Sequence, residues 1–250
     1  KKLAAGLEGL VLDVKCGSGA FMKTPERAEA LARALVSTAQ GAGCMTTALI
    51  TDMSQPLATA AGNALEVIEV METLTGTSVN VALWDLTCAL GGEALALGGL
   101  VADAEDGSGR IAQALETGAA AEVFGRMVAA QGGPADFVER WPDRLPAAPV
   151  VREVPSLDDG FIAHIDGEAL GHAVVHLGGG RLREGDKVHP AVGLSDLIGL
   201  GEEIGAGVPL AMVHAATEGA AQAAVRAVQA AYRVGTSVLD EGPLVLKRIT

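Results

Sequence analysis

An apolar run leads directly into a glycine-rich loop at residues 10–19, which read LVLDVKCGSG. A short apolar run of this kind is typical of a strand that is covered on both faces, as in a parallel sheet. Ligands bind at the carboxyl ends of such strands, and glycines let a ligand approach the backbone closely. Lys15 could add a charge there. A plain turn, with Lys15 paired to Asp13 or Asp52, is the alternative.

Further strand and helix signals follow in alternation. Thr24, Pro25 and Glu26 have the residue types of an N-cap, a first-turn proline and a first-turn acid, and predict a helix to about Gln40. A second strand is predicted over 46–51, and a second helix from Ser54 to about Leu74. Strands and helices that alternate with short loops predict an α/β fold with a mostly parallel sheet flanked by helices.

The pattern changes in the second half of the chain. Residues 81–128 have a helical pattern broken by glycines, and 132–149 contain four prolines, which predicts a connection rather than an element. Short strands and glycine turns follow, including a closing strand over 237–249. We therefore predict two domains, the later part of an α/β domain over 1–149 and a smaller α+β C-terminal subdomain over 150–250.

The amino-acid composition limits the kinds of partner that can be expected for this protein. The 250 residues contain 18 Lys and Arg against 31 Asp and Glu, a net charge of −13. An acidic surface repels phosphate backbones and anionic lipids, so neither nucleic acid nor a membrane is expected as a partner. Three separated cysteines without a CxxC pair predict reduced thiols in a cytoplasmic protein.

Two segments have residues that could bind a metal. Carbonyls near the start of the second helix, with a carboxylate further along it such as Glu66 or Glu69, could hold a hard cation through oxygen. Solvated glutamates on an amphipathic helix are the alternative. His172 and His176 lie four residues apart without an obvious third ligand, so structural or surface roles are expected for them.

Several longer motifs carry a resemblance to a known family. They are DVKCGSGAFMKT at 13–24, TTALITDMSQPL at 46–57 and AGNALEVIE at 61–69, followed by GGGR at 178–181, HPAVGL at 189–194 and GVPLAMVHA at 207–215. In this order and spacing they closely resemble the thymidine phosphorylase and pyrimidine-nucleoside phosphorylase family. The resemblance implies phosphorolysis of a pyrimidine nucleoside, with phosphate as co-substrate, no organic cofactor, and a homodimer.

The resemblance also implies roles for individual residues. Lys1 aligns with the family's lysine that contacts the base, and Phe21 with a position that lines the apolar side of the base pocket. Leu57, Ala60 and Glu69 align with positions that hold a monovalent cation, expected to be potassium, the first two through backbone carbonyls. No catalytic residue is assigned within the chain.

The chain opens in what looks like the last turn of a helix that Gly6 ends. We expect it to be the later part of a longer protein, with the family's phosphate-binding loop upstream of Lys1, so that activity of this chain alone is doubtful. Two other interpretations stay open, a related nucleoside-monophosphate phosphorylase and a non-catalytic interaction remnant.

Overall fold

The computed structural model describes residues 2–237 and 242–250 and has an α/β fold. The bounds of its helices and strands are as follows: β1 Gly9–Cys16, α1 Pro25–Gly41, β2 Met45–Asp52, α2 Asn63–Thr75, α3 Val81–Leu97, α4 Ala104–Glu116, α5 Ala119–Ala130, α6 Phe137–Arg144, β3 Val150–Pro155, β4 Gly160–Ile165, α7 Gly167–Val174, β5 Gly193–Ser195, β6 Glu203–Ile204, β7 Pro209–Ala215, α8 Glu218–Ala231, β8 Tyr232–Gly235 and β9 Val245–Ile249.

The chain divides into two compact units. The first comprises the described residues of Lys1–Met53, Val81–Ala120 and Gly242–Thr250, and the second those of Ser54–Asn80 and Ala121–Glu241. This division does not test the boundary at 149–150, which stays a prediction.

The first unit contains a three-stranded sheet in the order β1-β2-β9. Strand β1 pairs with β2 in parallel, and β2 pairs with β9 antiparallel. Helix α1 begins as the sequence predicts, because the Thr24 side chain accepts a hydrogen bond from the Arg27 amide and Pro25 occupies the first turn. Its small buried residues, among them Ala28 and Ala32, form one apolar cluster with Val14 of β1. This packing fixes the carboxyl ends of β1 and β2.

The second unit contains two antiparallel sheets, in the orders β3-β7-β5 and β6-β4-β8. Its buried core includes Ile162, Leu194, Val213 and Val228. Of the strand pairs in the described residues, only β1 with β2 is parallel, so a mostly parallel sheet is not confirmed. None of the described helices is long and apolar enough to cross a membrane.

Two predicted elements need correction. The helix expected from Ser54 begins only at Asn63, because residues 55–62 make long-range hydrogen bonds and Gly62 has a φ of 142°. The connection predicted over 132–149 contains the short helix α6, whose backbone departs from helical angles at Arg140, two residues before Pro142.

The elements at the two ends of the described chain agree in part with those predicted from the sequence. Gly6 adopts a left-handed conformation and ends a short 3-10 turn, Leu3–Ala5. The closing strand is shorter than predicted, with β9 covering Val245–Ile249, while residues 238–241 of the predicted strand lie outside the described residues.

Candidate functional site

A tight loop follows β1 in the first unit. The Met53 amide donates to Cys16 O at 2.6 Å, and the Gly19 amide donates to Met53 O at 2.9 Å. Gly17 has a φ of 135°, a backbone conformation that favours glycine. The glycine-rich segment is therefore held by hydrogen bonds to Met53, the residue that follows β2.

Lys15 is paired with an acidic side chain of its own strand. Its Nζ lies 2.6 Å from Asp13 Oδ2, and Asp13 Oδ1 accepts a hydrogen bond from Thr51 Oγ1 at 2.5 Å. These contacts confirm the alternative in which Lys15 pairs with Asp13. Thr51 is fully buried, so the pair is fixed from the neighbouring strand.

Of the two residues expected to contact the base, the structure describes Phe21. Phe21 is 97% exposed, so it has almost no packing within the chain and its ring is free to contact a ligand. Lys1 lies outside the described residues. Cys16, to which no role is assigned, is buried, and this burial together with the nearby Asp52 carboxylate raises the pKa of its thiol. The base-contacting roles of Lys1 and Phe21 stay predictions.

Two hydrogen-bond donors converge on one oxygen of Glu69 in the second unit. The Thr59 amide donates to Glu69 Oε1 at 2.9 Å, and Asn80 Nδ2 donates to the same oxygen at 2.6 Å. Asn80 Nδ2 also donates to Leu57 O at 3.4 Å. Ala60, which directly follows Thr59, is buried. Of the three residues predicted to hold a cation, Leu57 and Glu69 are thus linked through Asn80, while Ala60 follows the residue whose amide donates to Glu69. We refer to these residues as the Glu69 cluster.

The second oxygen of Glu69 is the unusual feature of this cluster. Glu69 is only 7% exposed, yet its Oε2 has no hydrogen-bond partner among the described residues. The buried Thr73 hydroxyl, one helical turn further along α2, also has none there. Leaving a buried carboxylate oxygen without a hydrogen bond is costly, so Glu69 Oε2 needs a partner that the described residues do not supply.

Nearby carboxylates add to the negative charge of the cluster. Burial, followed by the carboxylates of Glu69 and Asp196, raises the pKa of Glu72. Burial is the largest cause of this shift, and the two carboxylates add to it because a nearby like charge disfavours the ionised form.

The backbone of residues 55–64 is anchored by the segment 190–200. Ala61 and Leu194 exchange two backbone hydrogen bonds of 2.9 and 2.8 Å, and the Leu197 amide donates to Thr59 O at 2.9 Å. Gln55 Oε1 accepts a further bond from the Leu200 amide at 2.7 Å. These bonds fix the peptide that carries the Leu57 and Ala60 carbonyls.

The histidines make other contacts in the described residues. No group of three or more His, Cys, Asp or Glu side chains with metal-binding geometry occurs in that part of the chain. His172 and His176 are linked by a 2.8 Å hydrogen bond from the His176 ring to the His172 carbonyl. His214 contacts Ser195 Oγ at 2.9 Å. The structural or surface roles expected for His172 and His176 stay a prediction.

Sequence reasoning missed Asn80, which donates to Glu69, and the buried Thr73 hydroxyl, which has no hydrogen bond within the described residues. Asn80 lies eleven residues after Glu69, beyond the end of α2, and no helical spacing connects the two. Thr73 follows Glu69 by four residues, and this spacing alone could have placed both side chains on one face of the helix.

Two family matches cover most of the chain. Residues 1–121 match the α/β domain of a glycosyl transferase family, and residues 161–235 match the C-terminal domain of pyrimidine nucleoside phosphorylases.

Proposed function

Because this chain belongs to the thymidine and pyrimidine-nucleoside phosphorylase family, we propose that it serves the phosphorolysis of pyrimidine nucleosides. Thymidine, deoxyuridine or uridine would react with phosphate to give the free base and a deoxyribose or ribose 1-phosphate. The observation that carries this proposal is the order of the two matches, a glycosyl transferase α/β domain followed by the C-terminal domain. The protein would act as a pentosyltransferase in pyrimidine salvage, as a cytoplasmic homodimer.

The reaction makes definite demands on a protein. The bond between the sugar C1′ and the base breaks, its electron pair goes to the base, and a phosphate oxygen bonds to C1′ from the opposite face. Positive charge develops on the sugar and negative charge on the departing base. The protein must hold phosphate, stabilise the base, and exclude water.

Two residues of this chain are proposed to hold the base. Lys1 would place its ammonium against the pyrimidine carbonyl, where negative charge develops as the bond breaks. Phe21 would cover the apolar side of the base. Its 97% exposure supports this role, because the ring is not committed to the core of the chain.

The Glu69 cluster is proposed to hold a monovalent cation, with potassium as the expected ion. Carbonyl oxygens of Leu57 and Ala60 and the carboxylate of Glu69 would be its ligands. Hard cations prefer such oxygen ligands, and the unpartnered Glu69 Oε2 supports the assignment. When bound, the ion would neutralise the buried carboxylate and fix the segment 57–60.

The reaction is tested with the purified protein that contains this chain. It is incubated with thymidine, deoxyuridine or uridine, with and without phosphate, and free base and pentose 1-phosphate are measured. Base release that requires phosphate and yields equal amounts of the two products supports the proposal. Base release without phosphate indicates hydrolysis and contradicts it, as does the absence of release with all three nucleosides.

The same assay separates the related substrate class. Pyrimidine nucleoside monophosphates are offered in parallel with the nucleosides at equal concentration. A higher kcat/KM for the monophosphates would contradict the proposed substrate and identify a nucleoside-monophosphate phosphorylase instead.

A further inference from the structure

The side chain of Asn80 lies between two of the proposed cation ligands. Its Nδ2 donates to Glu69 Oε1 at 2.6 Å and to Leu57 O at 3.4 Å. The two oxygens are therefore no more than 6.0 Å apart, the sum of these distances. Leu57 precedes α2 and Glu69 lies within it, so one amide group links oxygens from two parts of the chain.

Asn80 also decides which oxygen of Glu69 is satisfied. An amide nitrogen carries two hydrogens, enough for one bond to each acceptor. Together with the Thr59 amide, it gives Oε1 two donors, while Oε2 has none among the described residues. This arrangement prevents free rotation of the carboxylate and keeps one oxygen available.

The ligands proposed for the ion carry one negative charge, which matches a singly charged ion. Its proposed ligands are one carboxylate and neutral carbonyls, and the Asn80 amide next to them is neutral. Ligand charge is one of the features that set which cation a site of oxygen atoms prefers. A second carboxylate in place of the amide would favour a divalent ion.

We propose that Asn80 is a positioning residue that sets the affinity and the charge preference of the cation site at Glu69. This inference rests on the proposed cation site and extends it. Asn80 does not bind the ion; it orients Glu69 and the Leu57 carbonyl by hydrogen bonds. Residues that orient metal ligands typically change metal affinity by about 10- to 100-fold when they are replaced.

The test measures cation binding through thermal stability, without an activity readout. The melting temperature of the whole protein is followed in potassium chloride and in tetramethylammonium chloride at equal ionic strength, because a ligand that binds only the folded state raises it. The variants are N80A, N80D and E69Q. The matched control is N63D, because the exposed Asn63 donates to Gly179 O and the substitution makes the same charge change.

The expected results differ for each variant. Potassium stabilises the wild type and N63D with the same half-saturating concentration, which rises about 10- to 100-fold in N80A. E69Q loses the potassium response. N80D keeps the shape of the side chain but replaces the donor with a carboxylate oxygen next to Glu69 Oε1, so its potassium midpoint rises as in N80A. Calcium, which can neutralise two adjacent carboxylates, stabilises N80D more than it stabilises the wild type.

The outcomes also separate the two proposals. The role of Asn80 is overturned if the wild type responds to potassium while N80A has the same half-saturating potassium concentration and calcium stabilises N80D no more than the wild type. The proposed cation site then stays in place. If N80A does not fold, the calcium response of N80D decides. A wild type without a potassium response overturns both the cation site and the role of Asn80, while phosphorolysis is judged by base release alone.

Discussion

Gly62 and Gly193 lie backbone against backbone. A Cβ atom on either glycine would come within 3.0 Å of the Cα atom of the other, and both residues have positive φ angles, 142° and 155°. Their contact is flanked by the two hydrogen bonds between Ala61 and Leu194. The start of α2 is therefore held directly against β5, next to the segment that carries the Leu57 and Ala60 carbonyls.

Replacing Gly193 with alanine should destabilise the protein by about 2 kcal/mol or more. The new Cβ would lie 2.3 Å from Ala61 O, a backbone atom that can move only if the bridge to Leu194 is disturbed. Urea unfolding measures the change. G219A is the matched control, because Gly219 lies in α8 with open space around it and alanine there should stabilise by up to about 1 kcal/mol. Equal stabilities for G193A and the wild type would contradict the close contact.

Replacing Arg248 with methionine should cost about 3 kcal/mol. The Arg248 guanidinium contacts both carboxylate oxygens of Glu93, which is only 4% exposed, so the substitution leaves a buried charge without its partner. The free energy of unfolding is compared with that of R152M. Arg152 pairs with Glu218 at an exposed position, and its loss should cost no more than about 1 kcal/mol. Arg248 itself is half exposed, so similar costs for the two variants would show that the burial of Glu93 does not strengthen its ion pair.

The local elements could be predicted because their signals are local. Helix α1 has its cap and proline in the sequence, and β2 is an apolar run that ends at an acidic residue. The late start of α2 could not be predicted, because residues 55–62 are held by bonds to positions more than 120 residues away. Tertiary contacts of this kind override the helical pattern that follows Ser54.

The candidate site was predictable only in part, for a similar reason. Glu69 is identified through its motif, and its carboxylate is visible in the sequence. Asn80 approaches it by packing of the chain after α2, and a single asparagine in a loop has no pattern that marks it. The role proposed for Asn80 rests on its hydrogen-bond distances to Glu69 and Leu57, and no sequence pattern indicates these distances.

Stability should fall as the pH is lowered from about 7.5 to 5.5, and His214 should contribute to this fall. Burial lowers the pKa of His214 below its ordinary value of 6.5, although the nearby Asp196 carboxylate opposes the shift. The unfolded state therefore binds a proton at a higher pH than the folded state, and stability is lost as the pH falls through 6.5. One such group can change the slope of the free energy of unfolding against pH by at most about 1.4 kcal/mol per pH unit.

The pH effect is measured by urea unfolding of the wild type and H214Q across that range. The variant should show a smaller loss of stability, and the difference between the two slopes is the contribution of His214. H172Q, a substitution of an exposed histidine in the same unit, controls for the change of residue type. Identical slopes for H214Q and the wild type would contradict the contribution of His214.

Replacing Phe21 with alanine should weaken nucleoside binding and leave the fold unchanged. The ring is 97% exposed, so its removal costs the folded chain almost no packing. If it covers the base as proposed, KM for the preferred nucleoside should rise about tenfold, equivalent to roughly 1.4 kcal/mol. L157A is the matched control, because Leu157 is 72% exposed and no ligand contact is proposed for it, and both KM and the melting temperature should stay unchanged. An unchanged KM in F21A, measured in the phosphorolysis assay, would remove Phe21 from the base site.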